Sequence, residues 1–340
     1  MQPVASRCRC RNALLVRVND QQFLQRAAEL AAEWMTFPNP RVGCVIVRDG
    51  VIVGEAAHQR DGDAHAEINA LALAADRAHG ATAYVTLEPC KHVGRTGSCA
   101  DALIAAGIAR VVIAVADPTE RAGGGAEQLR NAGVNVEFVA CDAARAVNEH
   151  WLHAMQHGRP FVTLKLATSV DGRVARAAGV ETRISNQAST RRVHELRARV
   201  DGILVGTGTA TIDDPALTAR GVPVERQPQR FVMGTRDLPT TLQLCSGDAP
   251  AVHLRTHDPR VALERVAEHH VRHLLIEGGP TVARAFVEAG VVDEIIWITA
   301  PVVFGEGPLA MGETPTTGIH RWNRQSTLDL DGDLWNFYRP

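Results

Sequence analysis

Apolar residues fall three and four apart at Phe23, Ala27, Leu30, Ala31 and Trp34, a stripe that predicts a helix beginning near Asp20 and stopped by Pro38 and Pro40. Residues 42–47 and 51–53 are strand-like runs on either side of Arg48-Asp49-Gly50, and Asp-Gly is a strong hairpin signal, so an antiparallel pair follows. The pattern then alternates. A helix over 64–79, a strand over 83–87, a helix over 99–106 and a strand over 110–115 precede a glycine triplet at 123–125. A short helix, a strand over 134–139 and a helix over 142–156 close the first half, and Gly158 and Pro160 mark a boundary. The second half restarts with a strand over 161–166, a helix over 186–198, a strand over 202–205 and further strands near Arg230, Ala251 and His273. Alternation of this kind predicts α/β architecture in both halves. No repeat period or low-complexity tract interrupts it.

Length agrees with that division, because 340 residues exceed one comfortable core and suit two domains of ordinary size. The 36 basic and 38 acidic residues leave a formal charge of -2, too little to draw the molecule onto a polyanion, so no nucleic-acid partner is expected. Every apolar stretch is broken by charge, proline or glycine before it could cross a bilayer, and no membrane partner is expected either. Seven cysteines in a chain this long do not form the disulfide framework of a small secreted domain, which predicts a reducing, cytoplasmic setting. Arg7, Arg9, Arg11 and Arg17 surround Cys8 and Cys10, and the apolar run 13–16 is too short for a signal-peptide core. The domains are therefore read as a disordered extension over 1–18, a first domain over 19–157 and a second over 158–340.

Chemistry concentrates in the first half. His65-Ala66-Glu67 opens a predicted helix just after Gly62 and Asp63, and Pro89-Cys90 follows a strand, with Cys99 nine residues later at the start of another helix. His65, Cys90 and Cys99 offer three zinc ligands, and hydrolytic zinc keeps three protein ligands while structural zinc is usually closed by four. Residues two apart on a helix point about 200° from one another, so His65 and Glu67 converge only if the helix begins at His65. Glu67, a carboxylate that is not a ligand, is the candidate general acid/base. The other cysteines, Cys8, Cys10, Cys44, Cys141 and Cys245, are read as small buried hydrophobes rather than ligands.

These residues resemble the zinc-binding signature of the cytidine-deaminase superfamily, but eight residues separate the cysteines where base and nucleoside deaminases usually have two. The segment Thr86-Leu-Glu-Pro-Cys-Lys-His-Val-Gly-Arg-Thr-Gly-Ser-Cys99, with Pro38-Asn-Pro-Arg-Val-Gly43 and His58, resembles the bifunctional deaminase/reductases of riboflavin biosynthesis. The similarity continues through Lys165-Leu-Ala-Thr-Ser-Val-Asp-Gly172, Gly206-Thr-Gly-Thr-Ala-Thr-Ile-Asp-Asp-Pro-Ala-Leu-Thr218 and Glu277-Gly-Gly-Pro-Thr281. The resemblance implies a cytidine-deaminase-like αβα sandwich followed by a dihydrofolate-reductase-like α/β domain. It implies zinc-dependent deamination of 2,5-diamino-6-hydroxy-4-(5-phosphoribosylamino)pyrimidine, then NADPH-dependent reduction to 5-amino-6-(5-phosphoribitylamino)uracil. Asn39, His58, His92 and Arg95 match positions that contact the deaminase substrate, and a homo-oligomer acting on this small phosphoribosyl pyrimidine is expected.

For the second half no Gly-x-Gly-x-x-Gly opens a βαβ unit, so composition names no cofactor there. Two turns still suit a phosphate: Glu277-Gly278-Gly279 before a helix with Pro280 in its first turn, and Gly206-Thr207-Gly208-Thr209 after a strand. By resemblance, the cofactor residues are Ala167, Arg183, Thr209, Asp213, Glu277, Gly278 and Gly279. Lys165, Glu181, Arg197, Leu217, Arg220 and Glu277 are implied for the substrate, the arginines suiting its phosphate. The chain departs from the family where Glu181-Thr-Arg-Ile-Ser185 stands for a Ser-Gln-Trp-Ile-Ser-like segment, which places Arg183 where it could meet the 2′-phosphate of NADPH. Two rival readings remain at this level. One is a deaminase of another base or nucleotide joined to a non-catalytic reductase-like domain; the other is a binding protein with structural zinc, for which His92 is the nearby fourth ligand.

Overall fold

A computed structural model describes residues 9–92, 97–245, 249–312 and 318–340, with backbone alone over 9–19. The chain divides into two compact units, Met1–Gln156 and His157–Pro340. Residues 1–8 of the expected extension lie outside the described residues, and residues 9–18, expected to be disordered, instead carry the backbone of a helix that begins at Arg9 rather than near Asp20. Among the described residues no helix is long and apolar enough to cross a membrane.

In the first unit, helix α1 (Arg9–Ala32) leads into strands β1 (Gly43–Arg48) and β2 (Val51–Ala57), then α2 (Ala66–Ala74) and β3 (Thr82–Val85). Next come α3 (Cys99–Ala105), β4 (Arg110–Ile113), α4 (Gly125–Asn131), β5 (Asn135–Phe138), α5 (Asp142–Val147) and α6 (Glu149–His157). The expected hairpin joins β1 to β2, with Asp49 and Gly50 both at positive φ, the backbone that a tight hairpin turn needs. The sheet order is β2-β1-β3-β4-β5, with β1 antiparallel to both neighbours and β3, β4 and β5 parallel.

Strand alternation sorts the two faces. Cys44, Ile46, Ala83, Val85, Val111 and Ile113 cluster with Ala66 and Ala70 of α2, Leu103 of α3 and Leu129 of α4. Val45, Val47, Tyr84 and Val112 cluster instead with Leu24 and Ala28 of α1 and Ala144 of α5. The result is an αβα sandwich. Two expected helices are shorter than their pattern. The helix over 64–79 stops at Ala74, where Ala75 turns to a φ of 50° before a short 3₁₀ turn. The helix over 142–156 breaks at buried Asn148, whose side chain accepts from the Arg41 N–H at 2.8 Å and donates to the Arg41 carbonyl at 2.7 Å. An asparagine spent on backbone elsewhere competes with helix continuation.

The second unit holds β6 (Phe161–Thr168), α7 (Gln187–Arg197), β7 (Gly202–Gly206), α8 (Thr207–Asp213), β8 (Gln229–Met233) and β9 (Val252–Leu254). It continues with α9 (Pro259–Glu268), β10 (His273–Ile276), α10 (Pro280–Glu288), β11 (Glu294–Thr299), β12 (Asn323–Leu330) and β13 (Asp333–Arg339). Its eight strands run in the order β12-β13-β11-β6-β10-β7-β8-β9. β11, β6, β10, β7, β8 and β9 are parallel, and β13 and β12 form an antiparallel hairpin on β11. Central strands are buried on both faces, as parallel strands are. Leu274 and Ile276 of β10 join Phe231, Leu263 and Phe286 on one side, while Leu275 joins Ile203, Val205 and Ala210 on the other. The strands beyond Thr281 carry no clear alternation; β12 is exposed along seven of its eight residues.

Candidate active sites in the two units

In the first unit, α2 begins at Ala66, and His65 is its N-cap in extended backbone with φ -69° and ψ 161°. This is the helix entry that lets His65 and Glu67 face the same place. On the opposite side, Cys99 is the first residue of α3, whose N-cap Ser98 accepts from the Asp101 N–H. The Ser98 hydroxyl and the Ala100 N–H both donate to the Cys90 carbonyl, at 3.1 and 3.2 Å, which ties Cys90 to the start of α3. His65 Nδ1 then lies 3.2 Å from Cys99 Sγ and 3.6 Å from Cys90 Sγ, with all three donor atoms within 4.8 Å of one another.

Those distances fit a tetrahedral zinc. Bonds of about 2.05 Å to nitrogen and 2.3 Å to sulfur set nitrogen–sulfur edges of about 3.6 Å. The donor chemistry fits as well. Two thiols and an imidazole are zinc's usual donors, and hydrogen bonds from Cys99 and His65 hold the Cys90 thiol down at about 4. His65 is raised by its bond to Cys90. Glu67 is 3% exposed, and burial pushes its carboxyl up to about 7; among the described residues its Oε2 has no hydrogen-bond partner.

Around this cluster the expected substrate residues separate. His58 packs its ring edge-on against His65 at 5.4 Å, donates from Nδ1 to the Ala64 carbonyl at 3.2 Å, and keeps a buried Nε2 without a partner among the described residues. Burial lowers its pKa below the ordinary histidine value. His92 follows Cys90 by two residues and likewise has a buried, unpartnered Nδ1 among the described residues. Asn39 donates to Asp61 Oδ1 at 2.8 Å. Arg95 lies outside the described residues.

One residue that sequence reading passes over is Glu88. Its Oε1 accepts from the N–H groups of Gly124 and Ala126, both at 2.9 Å, and its Oε2 accepts from Asp117 at 3.2 Å. It thereby anchors the 117–126 loop two residues from Cys90. The signal for it is weak, since its partners are all backbone.

In the second unit a cavity of about 580 Å³ opens along the C-terminal ends of the parallel strands, where open α/β sheets bind ligands. All seven expected cofactor residues line it: Ala167, Arg183, Thr209, Asp213, Glu277, Gly278 and Gly279. Lys165 and Glu181 line it too, as do Arg236 and His257, which the sequence did not single out. Two details correct the expected phosphate turns. Gly206-Thr207-Gly208-Thr209 runs directly into α8 rather than forming a free loop, and the Gly279 N–H is spent on Thr209 Oγ1 at 3.1 Å.

At the inner wall, Arg197 grips Glu277 through two parallel bonds, Nε to Oε1 at 2.5 Å and Nη2 to Oε2 at 2.8 Å. Burial would raise the Glu277 carboxyl, but Arg197 and then Lys165 hold it below the usual carboxylate range. Burial lowers the Lys165 ammonium, with Glu277 opposing. Arg197 also donates to the Thr218 carbonyl, and exposed Arg220 donates to the Thr218 hydroxyl. Leu217 differs from the others: its side chain is buried among Ile203, Val205 and Leu244, so any ligand contact there falls to backbone.

The family model for the RibD C-terminal domain matches residues 160–334, more than half of the chain. The chain belongs to the RibD family. The model for the cytidine and deoxycytidylate deaminase zinc-binding region matches residues 17–115, which contain His65, Glu67, Cys90 and Cys99. The riboflavin biosynthesis protein RibD of Aquifex aeolicus is 36% identical over 96% of this chain and 99% of its own. Among solved structures, Acinetobacter baumannii RibD has a TM-score of 0.88 at 35% identity, covering 95% of this chain and 99% of its own. A Thermotoga maritima protein described as a diaminohydroxyphosphoribosylaminopyrimidine deaminase/5-amino-6-(5-phosphoribosylamino)uracil reductase has a TM-score of 0.83 at 28% identity, covering 96% and 99%. The match through both halves makes the chain a bifunctional deaminase and reductase of riboflavin biosynthesis, with a zinc-binding deaminase domain and a reductase domain.

Proposed function

We propose that the first unit hydrolyses the 2-amino group of 2,5-diamino-6-hydroxy-4-(5-phosphoribosylamino)pyrimidine and that the second reduces the ribosyl chain of the product to ribityl with NADPH. The observation that carries the reading is the three-donor cluster of His65, Cys90 and Cys99 with the buried, partnerless Oε2 of Glu67 beside it. His65, Cys90 and Cys99 would hold the zinc, which would supply an activated water with a pKa lowered to about 7. Glu67 is not a ligand in this scheme. Its carboxylate takes a proton from the attacking water and delivers it to the amine, which departs as ammonia, while the water oxygen stays as the new ring carbonyl and its second proton ends on the ring nitrogen. A carboxyl poised near 7 by burial suits both transfers. His58 Nε2 and His92 Nδ1 are buried polar atoms available to the pyrimidine, and Arg95 and Asn39 complete the proposed substrate set.

In the second unit NADPH held along the cavity would supply a hydride to C1′ of the opened ribosyl chain, and a proton would complete the reduction. Lys165 and Glu277 orient that end of the substrate, and Arg197 and Arg220 face its phosphate. Arg197 is already paired with Glu277, so it positions that carboxylate as well. Glu181 and the backbone at Leu217 are the remaining substrate positions. The same reading places the enzyme in the cytoplasm as a homo-oligomer, for which free thiols and the exposed edge strand β12 are the supporting features.

Supplying the pyrimidinone phosphate with and without NADPH tests the order of steps. Ammonia should appear in both cases, and nicotinamide absorbance should fall only after ammonia has been released. Oxidation of NADPH with no prior ammonia, or faster ammonia release from cytidine, would overturn the assignment.

A further inference from the structure

We propose that His194 is a positioning residue for the phosphate end of the reductase substrate: its Nδ1 holds the Arg220 N–H and so fixes the segment from which Arg220 meets that phosphate. This rests on the reductase reading above. The case begins with the backbone of residues 217–220. Leu217 sits at φ 49°, a conformation that leucine seldom adopts, and is kept there by burial of its side chain among Ile203, Val205 and Leu244. Ala219 is held by one side chain twice: its N–H donates to Gln227 Oε1 at 2.9 Å, and its carbonyl accepts from Gln227 Nε2 at 3.0 Å. Two further backbone groups of the segment bond to α7. Arg197 Nη1 donates to the Thr218 carbonyl at 3.2 Å, and His194 Nδ1 accepts from the Arg220 N–H at 3.2 Å.

His194 and Arg197 are three apart on α7 and share a face, but their work differs. Arg197 is committed to Glu277 through two bonds and to Thr218 through a third. Among the described residues the Arg220 guanidinium has one hydrogen-bond partner, the Thr218 hydroxyl at 2.9 Å, so most of its fork of donors is unspent. A free fork of this kind suits a phosphate dianion. What it reaches is decided by where its own backbone stands, and His194 is the side chain bonded to that backbone.

The same bond fixes the state of the ring. A nitrogen that accepts carries no proton, so neutral His194 has its proton on Nε2, and protonation of Nδ1 would set N–H against N–H and break the contact. The surroundings favour the neutral ring. Burial first, then the charges of Arg197 on its own helix and Arg220 on the facing segment, lower its pKa below the ordinary histidine value, with the Thr218 backbone and Glu277 opposing. His194 therefore holds the segment at neutral pH, and acid releases it. A clip between helix and loop with no bearing on the substrate is the other reading, and KM separates the two.

The test is steady-state reduction by NADPH of the deaminated intermediate, 5-amino-6-(5-phosphoribosylamino)uracil, on the full-length protein, beside the same compound without its phosphate. His194→Ala removes the acceptor. His194→Asn puts Oδ1 close to where Nδ1 stood, has a similar helix preference and does not titrate. Loss of one hydrogen bond corresponds to about 3- to 10-fold in affinity. His194→Ala should therefore raise KM for the phosphorylated compound by that factor, with the change falling on KM rather than kcat, and should move KM for the unphosphorylated compound far less. His194→Asn should recover most of the loss. In the wild type, KM for the phosphorylated compound should climb in acid more steeply than the second ionisation of its own phosphate, near pH ~6, accounts for. His194→Asn should show that ionisation alone, and this comparison decides even if His194→Ala does not fold. A KM unmoved by His194→Ala or raised equally for both compounds, a His194→Asn protein no better than His194→Ala, or an acid limb that His194→Asn leaves unchanged overturns this assignment alone. Wild-type protein that does not oxidise NADPH on the phosphorylated compound overturns the reductase reading and this assignment with it.

Discussion

Glu88 and Glu67 are both buried carboxylates in the first unit, and their different partners give them different work. Glu88 is saturated by three backbone N–H groups, and Glu67 keeps one oxygen bare. Glu67→Gln preserves volume but cannot carry a proton, so ammonia release should fall by about 10²- to 10⁴-fold while zinc stays stoichiometric. Retained ammonia release in a zinc-loaded Glu67→Gln protein would remove Glu67 from the reaction. Glu88→Gln acts differently, because an amide has one acceptor oxygen and turns its NH₂ toward an N–H. Gly125 lets the 117–126 loop lie against Pro89, where an added Cβ would be only 1.8 Å from the Pro89 carbonyl. With the loop released, Cys90 loses its support, and zinc affinity should weaken by about 10- to 100-fold, as for other residues that orient ligands from behind. Metal content after dialysis against a competing chelator measures this, and unchanged zinc retention would reduce Glu88 to a loop anchor.

At the level of elements, one buried ion pair joins α1 to the sheet. Asp20 near the end of the helix's first half accepts two bonds from Arg110 of β4, at 2.9 and 2.8 Å, and one from the Tyr84 hydroxyl of β3 at 2.8 Å. Burial works to raise its carboxyl, but Arg110 and Tyr84 together hold it below the ordinary aspartate value of 3.8. A depressed carboxyl stabilises the fold above the unfolded pKa and loses that contribution as pH falls through the folded one. Asp20→Asn should therefore cost about 3–5 kcal/mol above pH 4, roughly 10 °C in Tm for a unit of this size, and the gap to wild type should close in stronger acid. A gap that persists below pH 2 would mean that packing, not charge, is what the substitution removes. Much of this architecture is legible in the sequence where the cause is local. The helix entry at His65 follows from Gly62 and Asp63, and the β1–β2 turn from Asp49-Gly50. Remote causes leave no such mark. Asn148 breaks its helix for Arg41, 107 residues away, and Glu88 is read only by backbone N–H groups. Arg236 and His257 meet in one cavity because two strands end side by side. β12 was illegible for another reason: a strand exposed on nearly every residue has no alternation to show.

On the scale of the whole chain, each activity has its own sheet and its own apolar clusters, and no strand is shared between the five-stranded and eight-stranded sheets. The proposed metal ligands all belong to Met1–Gln156 and the cavity proposed for the nucleotide to His157–Pro340. Ligand binding stabilises whatever must be folded to bind it, by about 2.7 kcal/mol when the free ligand is at 100 times its Kd. For this chain the two ligands should therefore act on different transitions. In calorimetry, stripping zinc should lower one transition and leave the other, while NADPH should raise the second and leave the first. Catalysis should divide in the same way: metal-free protein loses ammonia release but still oxidises NADPH when given the deaminated intermediate. A single transition that moves with both ligands would show that the units unfold together, and the activity split would then have to be judged from the intermediate alone. If chelation also stopped NADPH oxidation on that intermediate, the second unit would depend on the metal site. Its distinct sheet and clusters lead us to expect that it does not.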